Sequence, residues 1–243
     1  MLLENQKPNN RVPKSIGNEV RLSSEVGAMF SSGFHPSETK GNYITLFIID
    51  ASGSMSRLSE AVAKSYNQAV KELLNEAVEF PSLVQHMAVN TFSNRSVYEQ
   101  LPLTTVLEEY EIQELTYRTG GFTPLMDGLG KSIIALDNQI NRSGVDQKNV
   151  KVSVVVFTDG MENSSVDYNL SDVQQLIRNM KLKGWEFHYH GHHRYVKQMA
   201  DELYMDYVHE FEHSAMGFQG TVNKFSKDTK LSKGEFNQDR KKF

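Results

Sequence analysis

Two stretches of the chain are apolar for the length of a strand and read the same way. Residues 43–50 and 151–158 are rich in Ile, Val, Leu and Phe with little alternation, as strands buried on both faces of a parallel sheet are. Between such runs the period becomes helical. Leu58, Val62, Tyr66, Ala69, Val70, Leu73, Leu74 and Val78 predict a long amphipathic helix over residues 58–80, stopped by Pro81. Leu125, Leu129, Ile133, Ile134 and Leu136 predict another over 124–140. Residues 84–92 and 96–101 read as strands joined by a turn at Asn94, an antiparallel hairpin at a sheet edge. A short helix is expected at 106–115. Ser171, with Gln174 three residues on, is expected to cap a helix that Gly184 ends. A strand at 185–190, a helix at 195–204, a strand at 207–211 and a closing helix at 214–225 follow. This alternation predicts an α/β, doubly wound, mostly parallel sheet flanked by helices, with one antiparallel edge strand. The expected organisation is a polar N-terminal extension (1–40), one domain (41–226) and a basic, disordered tail (227–243).

Composition narrows the function classes. With 243 residues, 39% apolar and 23% charged, the chain has enough material for one α/β core plus extensions. It contains no cysteine, which removes disulfides, thiolate metal sites and a cysteine nucleophile and fits a reducing compartment. No basic-then-apolar leader opens it, and no apolar run approaches the roughly 18 residues of a membrane span. A cytoplasmic location without membrane attachment is expected. The net charge of −4 is uneven: residues 41–223 carry 14 basic and 23 acidic groups, whereas 224–243 carry seven basic and three acidic. An acidic core argues against nucleic-acid binding by the domain itself.

The chemistry concentrates where the predicted strands end. The first runs into Asp50-Ala51-Ser52-Gly53-Ser54, and the second into Thr158-Asp159-Gly160. A third loop, Thr119-Gly120-Gly121-Phe122-Thr123-Pro124, leads into a helix for which Pro124 is a favoured first residue. In an open α/β sheet, ligands bind beyond the carboxyl ends of the strands. Carboxylates and hydroxyls gathered at that edge are oxygen donors, as a hard cation such as Mg²⁺ requires. Serines at such positions also cap helices.

Asp50-x-Ser52-x-Ser54, Thr123 and Asp159, in this order, resemble the metal-ion-dependent adhesion site of the von Willebrand factor type A (vWA) domain, over residues 43–212. The stretch after Asp159, with Trp185-Glu186-Phe187 opening the next strand, is most similar to stand-alone bacterial and phage members. The resemblance implies a Rossmann-like fold and a non-enzymatic module. It implies Mg²⁺ (or Mn²⁺ or Ca²⁺) held by Ser52 and Ser54, with Asp50 and Asp159 bound directly or through water and Thr123 joining or leaving the shell as a partner docks. The partner would be a protein presenting an Asp or Glu; stand-alone members often work beside AAA+ ATPases. Two rival readings are a metal-dependent phosphohydrolase with Asp50 as nucleophile and a structural protein with a relic motif. The phosphohydrolase lacks support at Ser52, where such enzymes carry a second acid.

Further polar residues have two readings each. Asp127, one turn after Thr123, either favours the helix dipole or orients the metal shell. Glu162 and Asn163 line the rim or belong to an ordinary surface loop. His188 and His190 share one strand face, with His192 and His193 expected in the loop beyond. They form a second, softer metal site or a pH-sensitive rim, or else two are packed under a helix and two are solvated.

Overall fold

The computed structural model describes residues 33–94, 96–106, 117–159, 161–192, 196–211 and 215–240. The first strand, β1 (Gly41–Asp50), is buried at every position, its Asn42, Thr45 and Asp50 included, as a largely apolar run with little alternation predicts. Its neighbours are β2 (Leu83–Ser93) and β4 (Val150–Thr158), both parallel to it, and β3 (Ser96–Thr105) turns back antiparallel on β2 at the edge. With β5 (Glu186–His192) and β6 (Tyr207–Phe211) the order is β3-β2-β1-β4-β5-β6. The expected sheet class, including its one antiparallel edge strand, is the one found. The chain leaves β1 toward β2 and leaves β4 toward β5, so the winding reverses between β1 and β4. A crevice at the carboxyl ends of these two strands is therefore built into the topology.

Helices cover both faces. Helix α1 (Ser59–Glu79) is entered through a short 3₁₀ turn (Gly53–Leu58) and packs Val62, Tyr66, Val70 and Leu73 under Phe47, Ile49, Val89 and Val155. Helices α2 (Leu125–Ser143), α3 (Leu170–Leu182) and α4 (Val196–Glu202) pack on the other face around Ile44, Leu46, Ile48, Val154 and Phe187. All but Val106 of the helix predicted at 106–115, and residues 1–32, lie outside the described residues.

Three local expectations are corrected. The cap of α3 is Asn169, not Ser171: its side chain accepts from the Asp172 amide, and the Asp172 carboxylate accepts from the Asn169 amide, a reciprocal box two residues earlier. Val78, assigned to the buried face of α1, is 68% exposed, and Glu76 is buried instead. The tail after Lys230 is helical: α5 (Ala215–Arg240) runs through it.

The last two corrections have one cause. Helix α5 buries Phe225, Thr229, Ser232 and Lys233, a stripe at helical spacing but mostly polar, which a hydrophobic pattern does not reveal. The Lys233 ammonium lies against the Glu76 carboxylate and 4.6 Å from the centre of the Tyr43 ring, and Ser232 donates to Glu186 at 2.7 Å. Lys230 pairs with Glu79, and Arg240 reaches the carbonyls of Ser82 and Thr39. Lys230, Lys233 and Arg240, three of the seven basic residues in 224–243, are thus tied to the fold.

Lys233→Met should cost about 3–5 kcal/mol in urea unfolding, because it leaves Glu76 buried without its cation. Adding Glu76→Leu should recover most of that loss. A single variant as stable as the wild type would show that this pair does not fix α5.

Candidate functional site

At the switch point Asp50 is fully buried, and both carboxylate oxygens are engaged. Oδ1 accepts from the Ser52 amide at 2.7 Å, and Oδ2 accepts from the Thr158 hydroxyl at 2.6 Å. The first contact curls the loop after β1; the second ties the ends of β1 and β4 together. Burial pushes the Asp50 carboxyl up to about 6, against the pull of these hydrogen bonds and with a small push from Asp159. Beyond Asp50, the Ser52 and Ser54 hydroxyls are 3.1 Å apart, and the Ser54 hydroxyl donates to Asp159 Oδ1 at 2.7 Å. A continuous line of oxygens therefore crosses from the β1 loop to the β4 loop.

The Thr123 loop closes the third side through its backbone. Gly120 donates to the Ala51 carbonyl at 2.9 Å, and the Gly121 carbonyl accepts from the Gly53 amide at 3.0 Å. Thr123, 4% exposed, is clamped by Asn163: Oδ1 accepts from the Thr123 amide at 2.9 Å, and the Asn163 amide donates to the Thr123 carbonyl at 3.2 Å. The Tyr117 hydroxyl donates to the Asp50 carbonyl. Direct hydrogen bonds thus join Asp50, Ser52, Ser54 and Asp159 into one cluster, and Thr123 is brought beside it by its loop.

Asp127 and Glu162 hold the loop that carries Asn163. The buried Asp127 carboxylate accepts from the amides of Val166, Asp167 and Tyr168 at 2.9–3.1 Å, a role that neither the dipole nor the metal-shell reading supplied. Glu162 accepts from the Met126 amide at the start of α2 and from the Ser164 and Ser165 amides, so both its oxygens face protein. His192 ends β5, and His193 lies outside the described residues. Thr158 and Asn163 stood inside motifs already noted, yet nothing local to them shows that one would hold Asp50 and the other Thr123.

The sequence profile of the von Willebrand factor type A domain matches residues 46–206. The chain belongs to this family. vWA domains commonly mediate protein interactions, often bind a divalent metal and are mostly not enzymes. No curated protein matches the chain in sequence. Among solved structures it is similar to the PilB minor pilin from Streptococcus sanguinis (14% identity, 80% of this chain and 63% of that one, TM-score 0.55). It is also similar to the pilus adhesin SpaC from Lactobacillus rhamnosus GG (17%, 79% and 30%, TM-score 0.58). A third is proximal thread matrix protein 1 from the mussel byssus (19%, 78% and 47%, TM-score 0.52). The chain spans less than two thirds of the length of these three proteins, and at such identities the likeness is one of fold.

Gly121 is the glycine on which this site depends. Its φ is +74°, and a Cβ there would meet the Asn94 side-chain oxygen at 1.7 Å. Gly121→Ala should lower stability by about 1–3 kcal/mol in thermal unfolding. Asn94→Gly in the same background should recover part of this, since it removes the clash and leaves only the φ strain. No recovery would place the cost elsewhere.

Proposed function

We propose that Asp50, Ser52, Ser54, Thr123 and Asp159 hold a divalent cation, Mg²⁺ first and Mn²⁺ or Ca²⁺ as alternatives, as a metal-ion-dependent adhesion site. A protein partner then supplies an acidic side chain. The observation that carries this reading is the spacing of the oxygens. Magnesium–oxygen bonds of 2.0–2.1 Å set neighbouring octahedral ligands about 2.9 Å apart. The Ser52–Ser54 and Ser54–Asp159 separations of 3.1 and 2.7 Å bracket that value. The donor set fits a hard ion: hydroxyls and carboxylates, with no thiolate in the chain.

The donor chemistry also favours docking. With Ser52, Ser54 and Thr123 as neutral ligands and the Asp50 and Asp159 carboxylates acting through water, a dication keeps much of its charge, so a carboxylate is a natural ligand from outside. Phe122 and Met161, 65% and 48% exposed, lie beside Thr123 and Asp159 in the chain and offer an apolar rim from which a docked partner excludes water. Asp50, fully buried with both oxygens engaged, is poorly placed as the nucleophile of a phosphohydrolase. A cytoplasmic location, which the lack of cysteine fits, and an AAA+ ATPase as partner, which the family resemblance suggests, complete the reading.

The test is capture of a partner by the full chain. A partner held with Mg²⁺ should be released by EDTA and restored by Mg²⁺ or Mn²⁺. Thr123→Ala should weaken capture comparably, and chelator plus Thr123→Ala should cost little more than either alone, since both remove one contact. Losses that add fully would mean that the partner docks elsewhere.

A further inference from the structure

A second cluster of ligating atoms lies between the β5–β6 edge and α5, and its donors are nitrogens. His188 and His190 point from β5, and His209, the register partner of His190 on β6, stands beside them. One ring nitrogen from each of the three lies within 4.8 Å of the other two. His188 and His190 are fully buried. Neither ring nitrogen of His190 has a hydrogen-bond partner among the described residues, and neither does Nδ1 of His188.

Unsatisfied buried polar atoms cost free energy, and three in one spot call for a ligand. Aromatic rings enclose the cluster: His190 lies 4.6 Å from the Phe157 ring, His188 stacks at 4.4 Å on Tyr207, and Phe225 of α5 meets both histidines edge-on. Burial, with smaller pushes from His209, His188 and Lys224, holds His190 neutral, the form that binds metals. Metal-bound histidines usually give their other ring N–H to a carboxylate or carbonyl, and two of these three have a carboxylate in place. Asp228 of α5 stands 2.7 Å from His209 Nε2, and Glu186 stands 3.5 Å from His188 Nε2.

We propose that His188, His190 and His209 form a three-imidazole site for a borderline divalent transition metal, with Zn²⁺ the best match, and that Asp228 and Glu186 orient the rings. Nitrogens on a tetrahedral Zn²⁺ are about 3.3 Å apart, so binding draws the rings together by up to about 1.5 Å. The fourth position falls to water. The ion joins β5 to β6 and, through Asp228, anchors α5, the helix that also delivers Lys233. The oxygen cluster beyond β1 and β4 suits a hard ion, and this one suits a softer ion. The proposal is independent of the docking function.

The test uses tag-free full chain and Co²⁺ as a spectroscopic probe. Co²⁺ should give the intense visible bands of a tetrahedral site at one equivalent, Zn²⁺ should abolish them, and Zn²⁺ should raise the unfolding temperature. His209→Gln, at a partly exposed position that need not disturb the core, should abolish the bands, and so should His190→Gln. Asp228→Asn should weaken Co²⁺ binding tenfold or more. Asp159→Ala should leave the bands unchanged, which separates this site from the oxygen cluster. Absence of tetrahedral bands in the wild type, or bands that persist in His209→Gln, would overturn the assignment.

Discussion

Asp50 is a carboxylate held out of water at the end of the central strand, and the loops of the site are arranged around that one buried charge. A buried carboxylate needs donors on both oxygens. The Ser52 amide and the Thr158 hydroxyl supply them, one from its own loop and one from the neighbouring strand. Meeting the first need turns the chain so that Ser52 and Ser54 stand side by side. Meeting the second aligns β4 so that Asp159, the next residue, reaches Ser54. The geometry that favours a cation is therefore a consequence of satisfying Asp50. The same burial lifts its carboxyl to about 6, a cost that an adjacent dication would relieve.

Two further sets of polar side chains are buried between the sheet and α5. Lys233 and Glu76 neutralise each other between α5 and α1, and His188 and His190 face α5 with ring nitrogens unsatisfied. Among its described side chains, α5 meets the sheet through few apolar anchors, Phe225 chief among them, and through several polar contacts. Replacing such a pair with apolar residues is often tolerated, whereas breaking it is not. The helix is then specified by matched partners more than by area.

Much of the architecture was legible because parallel strands buried on both faces leave continuous apolar runs, and the period-3.6 stripes between them are clean. The placement of Asp50, Ser52, Ser54, Thr123 and Asp159 at one sheet edge was legible as well, because each lies at the end of such a strand or the start of such a helix. What could not be read depends on contacts between distant residues. Thr158 and Asn163 look ordinary in sequence until one is seen to hold Asp50 and the other Thr123. Glu76 belongs inside only because Lys233, 157 residues later, meets it there, and α5 was missed past Lys230 for the same reason. His209 sits on a different strand from His188 and His190, so only strand pairing joins the three.

The central claim is that the Asp50 cluster binds a hard dication, and calorimetric titration of the full chain with Mg²⁺ tests it most directly, since imidazoles do not compete for this ion. The account predicts one saturable site in the wild type and at least a tenfold loss of affinity in Asp50→Asn and in Ser54→Ala, each variant remaining folded. Mg²⁺ binding that is absent from the wild type, or unchanged in both variants, would contradict it.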